Sequence, residues 1–474
     1  MALSTLAAAG CATEPGSNSN APGSAAPSAS TSTTAVSRAI PVTLPVLDAL
    51  FSDEAFKTKL KSKVELTDDQ LAQLQKIAGE EVARLRESNT EATNGEEQSR
   101  QAEQAREHAA EAIRGVIGEQ KAADLFTLAR EYWVTGNQGL EPGKPDKSTT
   151  GEAPENTIAA GPNAVPKDTR VVVNIPAFRM DVFKDGSLVK SYKIGIGYPA
   201  FPLPTGLRKA ETIIFNPTWT PPDEPWVAKM RNVSVGEKVA AGSKLNPLGP
   251  IKIPIGLPSL IHGGKLPAKI GTFASHGCVG LTTAQVQDFA KLLAQVAGSE
   301  ISDSAIKSYF ANKTKTRVVK LDHVVPVELR YETIVLEDGQ LHIYRDVYDQ
   351  DTNTEANLRS VLEVNGIKLE DLGEEERAQV LDALNAMSRH PLKAATTKAA
   401  GNPSPAESPL AAADAATEKS EKKVASRVKK PIGKNQKEIV IELAALKGKG
   451  YPAAMNLDTG AGKPATVAIA KPVR

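Results

Sequence analysis

Between Arg170 and Tyr348 the apolar residues recur at every second position, and that alternation dictates a β domain. "RVVVNIP", "FRMDVFKDGSLVKSYKIGIG" and "ETIIFNPTWTPP" alternate in this way between Pro and Gly punctuation. "KTRVVKL" and "PVELRYETIVLEDGQLHIYRDVY" continue the pattern further on. Asp185-Gly186 and Asp338-Gly339 are hairpin turn signals, because both central positions of such a turn favour Gly, Asn or Asp. One helical segment interrupts the strands, "TTAQVQDFAKLLAQVAG", with Val286, Phe289, Leu292 and Leu293 on one face. Aromatic residues make up only 4% of the chain and concentrate between roughly 126 and 350, so the packed core is central. The expectation is a mainly β domain over 168–350 with a helix beside one functional loop.

The flanks follow other rules. Residues 47–135 read as an α-helical domain. Thr67 and Gln70 form a capping box, and Leu71, Leu74, Ala78, Val82 and Leu85 recur at helical spacing. A second, alanine-rich helix is predicted over 96–117 and a third over 119–133. The "LTDDQ" opening resembles the LTxxQ motif of some periplasmic helical proteins, although an ordinary amphipathic helix explains it as well. Residues 136–167 form a linker, and 351–390 a short helical extension. Residues 391–435 are an Ala/Lys/Pro-rich segment expected to be disordered, and 436–474 a small C-terminal element or tail. At the other end, Cys11 follows "LAAAG", which resembles a bacterial lipoprotein cleavage box and makes Cys11 a candidate lipid anchor. No Lys or Arg precedes it, and the competing reading is a stray thiol in a leader. Residues 12–46 are Ser/Ala/Pro/Gly-rich and read as a flexible tether, so 1–46 is a leader and tether.

Charge excludes some functions. Lys and Arg number 57 against 56 Asp and Glu, so no overall field steers the chain to nucleic acid. Two cysteines cannot build a disulfide framework, and no run of eighteen apolar residues is present to span a membrane.

Chemistry concentrates in "SHGCVG", residues 275–280. Two of the six histidines, His262 and His276, lie within sixteen residues of Cys278. A free thiol of pKa about 8.5 is only a few per cent ionised at neutral pH, and a neighbouring imidazole can take its proton to give a nucleophile for acyl transfer. "SLIHGG" reads as a strand end, which puts His262 at the mouth of a loop as the general base. The carbonyl of Gly263 is a candidate for fixing its tautomer. Gly277 lets the backbone turn so that adjacent N–H groups converge on a carbonyl oxygen; one such donor contributes about 3 kcal/mol. The plainer alternatives are a buried structural thiol with structural histidines, or a zinc shell of His262, His276 and Cys278. The second lacks a nearby acidic base and a second cysteine, so no metal and no other cofactor is expected.

An "HG" pair, eleven residues and then "SHGC" resembles the signature of the L,D-transpeptidase (YkuD-like) catalytic domain. "NIPAFRMDVFKDGSLVKSYKIGIG", "PLPTG", "IIFNPTWTPP" and "NPLG" resemble segments of that family in the same order. The resemblance covers about 168–350 and implies a YkuD-like β-sandwich acting on peptidoglycan stem peptides in the bacterial envelope, on the periplasmic side. It implies that Cys278 attacks the diaminopimelate carbonyl, expels D-alanine and passes the acyl group to an amine, and that carbapenems acylate the thiol. It further implies His262 as base, His276 as a residue shaping the site, Gly277 and Cys278 N–H groups as oxyanion donors, and Ser275 as loop support. Thr205, in "PLPTG", and Trp219 are candidates for the substrate groove. Many relatives carry Arg or Asn where this chain has Gly280, which puts substrate contacts there in question. An L,D-carboxypeptidase using water, and an inactive envelope-binding protein, remain alternatives.

Overall fold

The computed structural model describes residues 42–91, 95–135, 161–221, 232–234, 236–256, 259–388 and 436–460. The expectations for Cys11 and its leader, for most of the 136–167 linker and for 391–435 lie outside the described residues.

Five helices come first: α1 (Leu44–Phe51), α2 (Glu54–Lys63), α3 (Asp68–Glu91), α4 (Gly95–Ile117) and α5 (Glu119–Thr135). The first helix starts inside the stretch read as tether. Thr43 caps it, accepting from the Val46 N–H, and Pro45 sits in the first turn, where its missing N–H costs nothing. The Thr67–Gln70 capping box opens α3, with reciprocal bonds of 3.1 and 3.2 Å. Leu47, Phe56, Leu60, Leu74, Ile113 and Leu125 meet in one core among these helices.

The described residues next form an eight-stranded curled sheet ordered β3-β2-β1-β10-β5-β6-β7-β9. Its strands are β1 (Arg170–Asn174), β2 (Arg179–Lys184), β3 (Ser187–Lys193), β5 (Gly206–Phe215), β6 (Ile251–Pro254), β7 (Leu260–Lys265), β9 (Val279–Thr282) and β10 (Arg317–Arg330). A small parallel pair, β4 (Ile196–Gly197) with β8 (Phe273–Ser275), sits beside it. The central strand β1 lies parallel to β10, with Val171 opposite Val327. Val171 and Val173 face the main core, while Val172 joins Phe183, Leu188, Val335 and Tyr451 on the other side. A strand covered on both faces reads as a continuous apolar run, and "RVVVN" is one.

Helix α6 (Thr283–Val296) follows β9 directly, opened by a Thr282–Gln285 capping box. Its Val286, Phe289 and Leu293 are fully buried against the sheet. After α7 (Asp303–Ala311) the chain returns through β10. The strands β11 (Ile334–Glu337) and β12 (Gln340–Tyr344) leave the large sheet. They pair instead with β13 (Glu438–Glu442) in a three-stranded sheet. Helices α8 (Glu355–Val364) and α9 (Glu374–Ser388) cover that sheet, with Leu336, Leu341, Leu362, Val380 and Ile441 between them. Beyond β13 the chain runs along the outer edge of β3: Ser191 N–H donates to Met455 O, and Asp458 N–H to Ser191 O. That contact covers an edge that would otherwise present unpaired backbone groups. Among the described residues no helix is long and apolar enough to cross a membrane.

Candidate active site

Two neighbouring parallel strands at the end of the sheet bring the histidine and the cysteine together. Ile261 of β7 lies opposite Val279 of β9, and His262 opposite Gly280. Cys278 immediately precedes β9 and is half-buried. The turn that delivers it needs Gly277, whose φ of +93° lies in the region L side chains avoid. Ser275 brackets this turn: its Oγ accepts from the Cys278 N–H at 3.0 Å and donates to the Cys278 carbonyl at 2.5 Å. Immediately before the facing strand β7, buried Ser259 donates its hydroxyl to the Gly277 carbonyl at 2.8 Å. The two backbone N–H groups expected at an oxyanion site therefore differ. That of Cys278 is held by Ser275, whereas no described residue accepts from that of Gly277.

His262 is 4% exposed, and its Nδ1 lies 2.8 Å from the Gly263 carbonyl. A carbonyl only accepts, so Nδ1 carries the proton and Nε2 is the basic nitrogen. Burial, and then the nearby Lys265 charge, push the imidazole pKa down to about 3, although the Gly263 and Leu248 carbonyls pull the other way. The ring is therefore neutral at physiological pH. A standing imidazolium is disfavoured.

Lys265 is in this site because of a bulge. Between His262 and Lys265 lie two residues of β7, but only one lies between their partners Gly280 and Thr282. The extra residue, with Gly264 at a φ of +83°, reverses the alternation of the strand. His262 and Lys265, three apart in sequence, consequently project to the same face. A Cβ built on Gly280 would fall 2.9 Å from both Cγ and Cε of Lys265. The lysine stem thus occupies the space that a side chain at 280 would need. Burial depresses the Lys265 pKa, Cys278 raises it and Lys269 lowers it further. Gly280 itself is tied to Gly195 by two backbone bonds, 2.9 and 2.8 Å.

His276 is exposed, and its ring stands edge-on to Phe201 at 4.7 Å and tilted to Tyr198 at 5.3 Å. The Tyr198 N–H donates to the Ser275 carbonyl at 2.9 Å. Behind these rings Ala200 and Phe201 pack on Val82, Leu85, Ala102 and Ala105 of α3 and α4. Pro202, Leu203 and Pro204 are buried, and half-buried Thr205 leads into β5. Trp219 pairs with Val239 at the base of the loop between β5 and β6. Among the described residues His262, His276 and Cys278 do not form a group able to hold a metal ion.

Sequence reasoning passed over Ser259, Lys265, Tyr198 and Phe201. Each is distant in sequence or, for Lys265, on the wrong face of a regular strand. The second glycine of "HGGK" was the one available sign of a bulge.

The family model of the L,D-transpeptidase catalytic domain (YkuD) matches residues 168–319. No curated protein matches the chain. Solved structures similar to it include an L,D-transpeptidase from Mycobacterium smegmatis, 16% identical over 34% of this chain and 58% of that one, at a TM-score of 0.19. A mutant of the Enterococcus faecium L,D-transpeptidase is 16% identical over 34% of this chain and 50% of that one, at a TM-score of 0.20. An L,D-transpeptidase from Mycobacterium tuberculosis is 15% identical over 34% of this chain and 57% of that one, at a TM-score of 0.20. The chain thus spans between half and three-fifths of the length of these three. Residues 168–319 of this chain are an L,D-transpeptidase catalytic domain of the YkuD family.

Proposed function

We propose that the protein is a peptidoglycan L,D-transpeptidase with Cys278 as its nucleophile. The observation that carries this reading is the joint placement of Cys278 and of a buried, neutral His262 on adjoining strands of a domain that the family model matches. In the first half-reaction the Cys278 sulfur attacks the carbonyl of the diaminopimelate residue of a stem tetrapeptide. The S–C bond forms, the C–N bond to the terminal D-alanine breaks, and D-alanine leaves as the amine. The unprotonated Nε2 of His262 receives the thiol proton as attack proceeds and returns it to the leaving nitrogen. The Gly263 carbonyl holds the ring in that tautomer, and the Gly277 N–H supports the developing oxyanion. In the second half-reaction an amine of another stem peptide attacks the thioester and regenerates the thiol, leaving a cross-link. Water in place of the amine gives the carboxypeptidase outcome through the same thioester. His276, held by Tyr198 and Phe201, forms one wall of the site, and Thr205, Trp219 and Gly280 are proposed substrate contacts. Such a substrate requires the catalytic domain to face the cell wall, and lipid attachment at Cys11 is the proposed means of holding it there.

Intact-protein mass after exposure to a carbapenem tests the nucleophile. Wild type should gain one adduct, Cys278→Ala none, and His262→Ala should gain it at least about tenfold more slowly. No adduct on folded wild type would sink the enzymatic reading and favour an envelope-binding role. Products from a disaccharide-tetrapeptide then separate transfer from hydrolysis.

A further inference from the structure

Burial makes an imidazolium at His262 costly, so the resting imidazole does not itself supply a positive charge to the thiol. The site nevertheless contains a cation. We propose that Lys265 is the counter-ion of the Cys278 thiolate, turned onto the His262 face of β7 by the Gly263–Gly264 bulge and given room by the bare Cα of Gly280. The inference rests on the reading of Cys278 as nucleophile and adds a group that activates it.

Three observations support this assignment. The bulge reverses the alternation of β7 within two residues of His262 and so turns Lys265 onto the His262 face. The Lys265 stem lies against Gly280, two residues beyond the thiol, at distances a Cβ would not tolerate. Among the described residues no carboxylate pairs with Lys265, and Cys278 is the one group of opposite charge that acts on it. Other charged and titratable groups near the site include Lys252 on β6 opposite His262, Lys269 after β7, Lys193 against Gly271, Tyr198 and His276, and Asp458, whose carbonyl accepts from Lys193 and Gln285. Asp458 is the one anion among them and forms no ion pair with Lys265, so the thiolate is the charge that offsets this half-buried ammonium. In acyl transfer the thiol proton passes to Nε2 of His262, which returns it to the leaving amine, while Lys265 remains an ammonium throughout.

The test is the pH dependence of alkylation of the full-length protein by iodoacetamide, a neutral reagent with no carboxylate for a lysine to bind. The thiolate displaces iodide, an S–C bond replaces the C–I bond, and peptide mass mapping separates Cys278 from Cys11. In wild type the Cys278 midpoint should lie below the ordinary thiol value of about 8.5. Lys265→Met should raise it by about one pH unit, which is about tenfold slower alkylation well below the midpoint, while Lys265→Arg should leave it near wild type. Gly280→Ala, which displaces the stem without removing the charge, should fall between. A Lys265→Met midpoint equal to wild type, in a protein that still takes a carbapenem on Cys278, overturns the counter-ion and leaves the nucleophile standing. Wild type that takes no carbapenem and alkylates with an ordinary midpoint overturns the nucleophile reading and this inference together. If Lys265→Met does not fold by circular dichroism, Gly280→Ala decides: an unchanged midpoint refutes the proposal.

Discussion

The buried, neutral state of His262 has a consequence for stability that can be measured independently of any substrate. In the unfolded chain the imidazole titrates at about 6.5, whereas in the folded protein burial and Lys265 hold it down to about 3. The folded pKa is the lower one, so between these values the unfolded chain binds a proton that the folded one refuses. Stability from this residue is therefore fully present above about pH 6.5 and is lost as pH falls toward 3. Going from pH 7 to pH 5, the unfolded imidazole goes from about one quarter protonated to almost fully protonated while His262 stays neutral. The folded state loses about 2 kcal/mol over that interval. Replacing the residue by Gln removes the proton site and keeps a polar side chain. Other titrating groups, such as Glu332 and Asp346 with their burial-raised pKa values, are common to both proteins and cancel in the comparison. The quantity to measure is the wild-type advantage in melting temperature over His262→Gln, followed by tryptophan fluorescence at the two pH values. For a unit of this size about 2 kcal/mol corresponds to about 4–8 °C, so the advantage should shrink by that much at pH 5. An advantage that is the same at both pH values, within about 1 °C, would show that His262 titrates normally, and the argument for a neutral base would be wrong.

Three other substitutions probe the scaffold of the site. Ser259→Ala removes the hydroxyl that holds the Gly277 carbonyl, a buried bond of 2.8 Å. It should cost about 1 kcal/mol and slow carbapenem acylation about fivefold, as followed by mass spectrometry. Gly249→Ala places a Cβ 2.6 Å from the Gly264 nitrogen at a φ of +66°, so it should deform the bulge carrying His262 and Lys265. Acylation should drop by about tenfold or more while circular dichroism stays native. Val82→Asp buries a charge against Ala200 and Phe201, and hydrogen exchange of the Tyr198–Leu203 amides should accelerate by about tenfold or more.

The apolar, Pro- and Gly-punctuated segments between Arg170 and Arg330 were enough to read a β domain, although strict alternation is not what they all carry: β1, covered on both faces, is buried at four successive positions. The capping box at Thr67 was equally legible, since it is a local contract between residues three apart, whereas the same device at Thr282 was passed over. Partner choice was not legible. Nothing local distinguishes β11 and β12 from the strands of the main sheet, and their partner β13 lies about a hundred residues away. For the same reason residues 436–474 could be read as a small C-terminal element but not as supplying the third strand of a particular sheet. The start of α1 was hidden by composition: Pro and Thr near residue 43 look like tether, yet there they serve as a cap and a first turn.

The site divides along a similar line. Cys278, His262, Ser275 and Gly277 stand in two short stretches whose residue types already imply chemistry, and the structure brings them to one sheet end. Lys265 shows why such reading stops where it does. On a regular strand a residue three positions after His262 points to the opposite face, so the period-two rule that reveals the domain also excludes this lysine from its site. One additional residue in β7 reverses the inference. The glycine at 280 then takes on a different meaning. Read alone, it is the loss of a side chain; beside Lys265 it is the vacancy that a lysine stem fills from the neighbouring strand. A charge missing from one strand has a counterpart on the next, and only the register between the two connects them.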